Sequence, residues 1–156
     1  MDISPTAQAA LDHFRAGHNC AQSVLLAHRD ELGLDEAQAR LLAAPFGAGF
    51  GATRRTCGAL AAAAMVYSNR TGAFPPGDIR AKTDFYHRIQ DLDRAFAAEF
   101  GSSQCGDILR AAAQPPRPDA AERTPEYYAL RPCERCILAA EKLLAESTAP
   151  GKIQTP

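Results

Sequence analysis

Residues 57–69 read CGALAAAAMVYSN, and this stretch decides the fold that the sequence predicts. Alanine is the strongest helix former, and either Thr53 or Thr56 is a suitable cap for the start of an α-helix here. Because the stretch is apolar on every side, we expect the helix to lie buried at the centre of the protein. The apolar run ends at Tyr67, well short of the roughly 18 residues that a membrane span needs. The stretch therefore predicts the central helix of an all-α fold.

The segments on both sides of this helix also carry helix signals. Ser4, Asn19, Asp35 and Asp78 are predicted N-caps. The clearest periodicity follows Asp78, where large apolar residues recur at helical spacing on one face: Phe85, Ile89, Leu92, Phe96 and Phe100. No segment shows a strand pattern. We therefore predict an all-α fold: a single-domain bundle of about six helices over residues 1–150, with no β-sheet and a frayed tail at 151–156.

The C-terminal third of the chain contains a break in the helical pattern. The stretch from Gln114 to Pro125 contains four prolines and four charged residues. Proline removes a backbone donor and disfavours helix in the residue before it, so this segment predicts a surface loop. A last helix is predicted to begin at Pro132.

The composition excludes several function classes. The chain of 156 residues has 17 Lys and Arg against 18 Asp and Glu, a net charge of −1. Its basic residues are scattered, whereas nucleic-acid binding needs clustered positive charge, so we expect no nucleic-acid partner. The start of the chain lacks the basic and apolar regions of a secretory signal, and no stretch is long enough to insert into a membrane. We therefore expect a soluble, cytoplasmic protein.

The residues that point most strongly to chemistry are five cysteines: Cys20, Cys57, Cys105, Cys133 and Cys136. They are too few for a disulfide scaffold, and in a reducing cytoplasm repeated cysteines more often bind metals or do redox chemistry. The first four follow predicted caps or Pro132, which places them in the first turns of four different helices. The positively polarised start of a helix lowers the pKa of a thiol and favours the thiolate. The competing interpretation is that each cysteine is a small buried hydrophobe.

The spacing of the cysteines limits the kinds of metal or redox site that they can form. Zinc fingers and ribbons need two short ligand pairs, whereas this chain has a single C-x-x-C, from Cys133 to Cys136. Four helix starts that meet would form a positively polarised pocket, which stabilises several thiolates or a negatively charged iron–sulfur core. The C-x-x-C pair could instead share one ligand site or form a reducible disulfide.

Several residues near the cysteines are expected to line the same pocket. Residues 46–51 read FGAGFG, and alternating glycines let the backbone pass close to the thiols or adopt positive φ. No strand precedes them, which disfavours a nucleotide-phosphate loop. Arg54 and Arg55 either add positive potential or are solvated charges. The predicted lining comprises Asn19 and His18 together with Gly47, Gly49, Gly51 and Gly58.

Five segments together resemble a known family. They are GHNCAQ at 17–22, FGAGFG at 46–51, CGA at 57–59, GSSQC at 101–105 and RPC at 131–133. Their order is similar to that of the C_GCAxxG_C_C family of redox-active proteins. The resemblance implies four shared cysteines, matching Cys20, Cys57, Cys105 and Cys133, and partners among oxidoreductases. Two positions depart from the family pattern: Ala62 replaces the last glycine of C-G-A-x-x-G, and Cys136 is additional to the four.

These observations lead to one prediction and two alternatives. We predict a redox-active protein that binds an iron–sulfur cluster and passes electrons to an oxidoreductase partner; its ligands are Cys20, Cys57, Cys105 and Cys133, with Cys136 as an alternative ligand. The first alternative is a cofactor-free thiol–disulfide protein in which all five cysteines are redox thiols. The second is an interaction module that binds zinc or copper on thiolates. A homo-oligomer is compatible with each.

Overall fold

The computed structural model describes residues 2–147 as a bundle of helices. In chain order these are α1 (Pro5–Arg15), α2 (Cys20–Ala27), α3 (Arg29–Leu32), α4 (Glu36–Ala43), a 3₁₀ turn (Ala44–Phe46), α5 (Gly47–Phe50), α6 (Gly58–Thr71), α7 (Ile79–Phe100), α8 (Cys105–Ala111), α9 (Pro125–Leu130) and α10 (Cys133–Ser147). The all-α prediction is confirmed, since the described residues form no strand and only one isolated bridge, between Thr56 and Gln104. The predicted tail at 151–156 and the predicted domain end at 150 lie outside the described residues. No helix within 2–147 combines the length and apolar character needed to cross a membrane.

Side-chain caps fix where α1, α2, α4, α7 and α9 begin, whereas α6 and α8 begin without one, contrary to the caps predicted for them. Ser4 Oγ accepts a hydrogen bond from the Ala7 N–H at the start of α1, and Asp78 caps α7 in the same way. A full capping box opens α2: Asn19 Oδ1 accepts from the Gln22 N–H at 2.9 Å, and Gln22 Oε1 accepts from the Asn19 N–H at 3.0 Å. Such a cap is worth about 1 kcal/mol because it satisfies N–H groups that the first turn leaves free. The cysteine after Asn19 is therefore held at the first position of α2 by local sequence.

The α6 helix lies at the centre of the bundle, as the sequence predicts. It packs against α2 and α10, and α2 packs in turn against α1 and α4. Small residues such as Ala59 and Ala62 are fully buried on α6 and allow this close approach. The α7 helix covers the same core with Leu92 and Phe96, the buried middle of the predicted apolar stripe. Because α2, α6 and α10 each begin at a cysteine or directly after one, the packing of the central helices also decides where those thiols lie.

The described residues contain more helices than the roughly six that the sequence predicts. His28 leaves helical geometry and separates the short α3 from α2. In addition, α9 begins at the end of the predicted loop, where Thr124 Oγ1 accepts from the Tyr127 N–H and Pro125 occupies the first helical position. The pair Thr124-Pro125 is a cap-and-proline signal like that of α1, but the neighbouring prolines obscure it in the sequence.

The glycine-rich segment 47–52 is a turn with a left-handed backbone. The angle φ is positive at five consecutive residues, from 55° at Ala48 to 64° at Ala52. The Gly51 N–H donates to the Gly47 carbonyl at 3.0 Å and closes the turn. For any residue with a side chain this conformation costs about 1 kcal/mol or more, so the surrounding structure must hold Ala48, Phe50 and Ala52 in place. Strain of this kind collects at functional sites, and this segment borders the cysteines.

Candidate functional site

All five cysteines line one cavity, at the end of the bundle where α2, α6, α8 and α10 begin. Its volume is about 290 Å³. Cys20, Cys105 and Cys133 are the first residues of α2, α8 and α10. Cys57 is the N-cap of α6, and Cys136 lies one turn into α10. All are free thiols; Cys57 and Cys136 are buried and the other three are half-buried. Tertiary packing thus brings the five together from widely separated parts of the chain.

Cys57 is the most crowded of the thiols. Its side chain is in hydrogen-bond contact with those of both Cys20 and Cys136. Ionisation of Cys20 or Cys105 would raise the pKa of Cys133, and ionisation of Cys20 would raise that of Cys105, so these three thiols border the same space. The cavity therefore has a buried side formed around Cys57 and a more accessible side formed by Cys105 and Cys133.

Two glycines allow the backbone to pack directly against the thiols. A Cβ atom on Gly58 would lie 2.6 Å from the Phe46 carbonyl oxygen and 2.8 Å from Cys20 Sγ. A Cβ atom on Gly49, where φ is +67°, would lie 2.6 Å from Cys105 Cβ. Real Cβ atoms do not approach other atoms this closely. Both positions therefore require glycine, and both place backbone behind a cysteine.

The other predicted lining residues divide between the cavity and its surroundings. Asn19, Gly47 and Gly51 line the cavity. Asn19 is fixed there by its capping box and by a hydrogen bond from its Nδ2 to the Ala44 carbonyl at 3.1 Å. The structure places His18 outside this lining, with its ring packed edge-on against that of His13 at a centroid distance of 5.8 Å.

The thiols favour their protonated form, contrary to the expectation that helix starts lower their pKa. The hydrogen bond with Cys57 is the largest cause that raises the pKa of Cys20 far above its ordinary value. The hydrogen bond with Cys136 does the same for the pKa of Cys57. Burial raises the pKa of Cys133 to about 12 and also raises that of Cys105. The expectation is wrong for these four thiols because burial and mutual crowding outweigh the helix dipole.

Hydrogen bonding weakens the dipole effect further at α8. The Cys105 N–H donates to the Arg55 carbonyl at 2.6 Å, and the Gly106 N–H donates to the Arg54 carbonyl at 2.9 Å. These carbonyls satisfy N–H groups that a helix start otherwise leaves free, so their partial positive charge is not available to a thiolate. Similarly, the Cys57 N–H donates to the Ser103 carbonyl at 2.9 Å.

Positive charge reaches the cavity instead through three side chains: Arg54, Arg123 and Arg131. Arg54 Nη1 lies 3.7 Å from Cys105 Sγ and opposes the effect of burial on the pKa of that thiol. The Arg123 guanidinium carbon lies 4.6 Å from the ring centroids of Phe14 and Tyr127. Within the described residues the lining contains no Asp, Glu or His side chain. The wall of the cavity is therefore cationic and rich in thiols.

Comparison with known proteins agrees with this arrangement. A family model described as "Putative redox-active protein (C_GCAxxG_C_C)" matches residues 18–147, a range that contains all five cysteines. The chain belongs to this family. No curated protein and no solved structure matches the chain significantly. Since no solved structure matches, the arrangement of the site in this C_GCAxxG_C_C protein rests on the geometry described above.

Sequence reasoning missed part of the lining of the C_GCAxxG_C_C site, namely Arg123, Arg131 and Tyr127. Arg123 and Tyr127 lie in or next to the predicted loop, and Arg131 lies between α9 and α10. The cap at Thr124 could have revealed α9 and with it Tyr127. The two arginines carry no local signal, because only the packing of α9 against α1 residues such as Phe14 turns them toward the thiols.

The donor set of this C_GCAxxG_C_C site suits a soft metal centre. Thiolates prefer copper(I), zinc and iron–sulfur clusters over hard oxygen-seeking ions. Within residues 2–147, no three His, Cys, Asp or Glu side chains are placed to hold one metal ion. A single tetrahedral ion needs its sulfurs about 2.3 Å from one point. A cluster instead sets an inorganic core between its thiolates, and these thiols surround a cavity of about 290 Å³.

Proposed function

We propose that this protein binds an iron–sulfur cluster on Cys20, Cys57, Cys105 and Cys133 and exchanges electrons with an oxidoreductase partner in the cytoplasm. One observation carries the proposal: five thiols and three guanidinium groups line the same cavity, without any carboxylate or imidazole among the described residues. When bound, the cluster supplies the one-electron chemistry. The residues of the chain hold it and set its surroundings.

The charges around the cavity support an anionic guest. Four thiolates give the bound centre a net negative charge, and a buried negative charge needs compensation. Arg54 Nη1 lies 3.7 Å from Cys105 Sγ, and Arg123 and Arg131 line the same cavity and contribute further positive charge. The raised pKa values mean that the thiols release protons when metal binds, so we expect cluster assembly to be favoured as the pH rises.

The two cysteines of the C-x-x-C pair have different roles in this proposal. Cys133 is the first residue of α10 and is half-buried, whereas Cys136 is buried beside Cys57. Electron exchange with a partner protein favours a ligand on the accessible side, so Cys133 is the proposed fourth ligand. Cys136 then fills the buried side as a small apolar residue.

Serine variants test the ligand set. After anaerobic reconstitution with iron and sulfide, the wild-type protein should be brown, with visible charge-transfer absorption and stoichiometric iron and sulfide. Cys20→Ser, Cys57→Ser, Cys105→Ser and Cys133→Ser should each lose most of the bound iron, because each removes one thiolate from a four-thiolate site. Cys136→Ser is the matched control and should keep it.

A colourless protein without iron after reconstitution would contradict the cluster. Loss of iron from Cys136→Ser but not from Cys133→Ser would show that the fourth ligand is Cys136 and not Cys133. Zinc or copper in the elemental analysis, with no sulfide, would instead support a thiolate-bound single ion.

A second candidate is a cofactor-free dithiol, which is favoured by the contact of Cys57 with Cys136. Oxidation would form one S–S bond and pass two electrons and two protons to a disulfide of the partner. If this is correct, oxidised glutathione should remove two titratable thiols per chain, dithiothreitol should restore them, and Cys136→Ser should abolish the change. Five titratable thiols after oxidation would contradict it.

A further inference from the structure

Residues 113–124, which we call the strap, form one wall of the thiol cavity. The strap connects α8 to α9 without regular secondary structure. Ala120, Ala121 and Arg123 from the strap line the same cavity as Cys20 and Cys57. Access to the thiols from this side therefore depends on where the strap lies.

The strap separates the thiol cavity from a second cavity of about 370 Å³. This second cavity is lined by strap residues and by Arg131. Ala120, Ala121 and Arg131 line both cavities. Because the same residues line both cavities, a displacement of the strap would join the two spaces and open a wider route to Cys105 and Cys133.

Few hydrogen bonds hold the strap in place. Near its start the Gln114 N–H donates to the Leu109 carbonyl at 2.9 Å, and near its end Arg123 Nη2 donates to the His18 carbonyl at 3.0 Å. Between residues 115 and 122, one hydrogen bond joins the strap to the rest of the described chain. It runs from Arg54 Nε to the Arg117 carbonyl at 2.9 Å.

The same Arg54 side chain also faces the thiols. Its Nη1 lies 3.7 Å from Cys105 Sγ, while its Nε bonds to the strap. A guanidinium can do both because it presents its donors in a rigid planar fork. The backbone of Arg54 is also tied to α8, since its carbonyl accepts from the Gly106 N–H at 2.9 Å. One side chain thus connects the middle of the strap to a cysteine.

We propose that Arg54 holds the strap in place over the thiols and so determines which reagents, by their size, can reach them. We call its hydrogen bond to the Arg117 carbonyl the latch, and the strap held by this bond the gate. With the latch closed, small molecules and ions reach Cys105 and Cys133, and bulky reagents are excluded. The inference deepens the proposed function, because the gate guards the thiols that would bind the cluster and shields them from bulky oxidants and chelators. It concerns access alone, so protein prepared without iron is suitable for the test.

The experiment compares two maleimides on the same thiol. N-ethylmaleimide is small, and maleimide on a polyethylene glycol chain is bulky; both react with the thiolate, so the ratio of their rates cancels any change in thiol pKa. Rates at Cys105 and Cys133 are read by mass spectrometry. In Arg54→Gln we expect the bulky-to-small ratio to rise about fivefold, the effect of losing one solvent-exposed hydrogen bond of ordinary strength.

Arg117→Gln is the matched control, because Arg54 bonds to the backbone carbonyl of residue 117 and not to its side chain. This variant should keep the wild-type ratio. Arg54→Lys keeps the positive charge but lacks the fork, so it should raise the ratio in the same direction by a smaller factor. Circular dichroism establishes that each variant is folded.

A wild-type ratio in Arg54→Lys would overturn the proposal even if Arg54→Gln failed to fold. An equal rise in Arg117→Gln would also overturn it, since the latch would then not be the carbonyl bond. A protein that binds no cluster but shows the predicted ratios would leave the gate in place and reject only the proposed function.

Discussion

Replacing Gly58 by alanine should lower the free energy of unfolding by about 2 kcal/mol, although alanine in a helix is normally more stable than glycine by about 1 kcal/mol. The added Cβ would lie 2.6 Å from the Phe46 carbonyl oxygen, 2.8 Å from Cys20 Sγ and 3.2 Å from Ala21 Cβ. The Phe46 carbonyl oxygen is backbone, and Ala21 Cβ is fixed to its own backbone, so neither can rotate away. Backbone or the start of α2 must therefore move, and we expect the variant to lose iron binding as well. Urea unfolding and iron analysis measure the two effects.

Gly106→Ala is the matched control for this substitution. Gly106 also lies near the start of a helix, directly after Cys105, but the atoms nearest to an added Cβ are Arg54 Cβ and the Arg54 carbonyl oxygen, both at 3.3 Å. A small shift accommodates that contact, so the change in stability should stay within about 0.5 kcal/mol. If Gly58→Ala were as stable as the wild-type protein, the close contact between the Gly58 backbone and Cys20 would be contradicted.

A second large effect is expected at His28, which is buried at the end of α2. Its Nε2 is 2.9 Å from Glu141 Oε2 on α10, and its Nδ1 bonds to Glu31, which also accepts two hydrogen bonds from Arg70. The other Glu141 oxygen is buried with no hydrogen-bond partner among the described residues. Removing one member of a buried ionic group leaves the others uncompensated. His28→Gln should therefore cost about 3 kcal/mol near pH 6.

The pH dependence of this loss follows from the two pKa shifts. Burial lowers the pKa of His28, but Glu141 and Glu31 outweigh it and leave the pKa above its ordinary value of 6.5. A raised histidine pKa contributes stability below pH 6.5 and loses it as the pH rises through the folded-state value. Arg70 lowers the pKa of Glu31 to about 2, so this second contribution is present above pH 4.5 and is lost toward pH 2. The buried ionic group around His28 therefore stabilises the protein most between about pH 4.5 and pH 6.5.

Urea unfolding of the wild-type protein and His28→Gln between pH 5 and 9 measures this effect. The difference in unfolding free energy should shrink as the pH rises above 6.5. His87→Gln, the same change at an exposed position on α7, should cost less than about 0.5 kcal/mol at every pH. A constant difference across the range would show that His28 is not charged in the folded protein.

Local sequence was sufficient to predict most helix starts. The side chains of Ser4, Asn19 and Asp78 accept hydrogen bonds from N–H groups three residues further on, so the signal and its effect lie within one turn. The cap at Asn19 likewise predicted that Cys20 begins a helix. The signal at Thr124 is equally local but is obscured by the prolines before it.

Properties that depend on distant residues could not be predicted in this way. The pKa of Cys57 depends on its contact with Cys136, which is 79 residues away in sequence. The role of Arg123 depends on α9 packing against Phe14, and the buried position of His28 depends on a glutamate on α10. The left-handed backbone at Ala48 is opposed by local preference and exists because its surroundings hold it.

By itself, then, the sequence determined an all-α protein with a central alanine-rich helix and cysteines at four helix starts, because caps and apolar periodicity act over a few residues. Only the tertiary structure decided that the five thiols share one cationic cavity, that burial and crowding raise the pKa of four of them, and that Arg54 joins Cys105 to the strap. These features arise from burial and from electrostatic contacts between helices. Their energies depend on distances across the fold, which no local segment specifies.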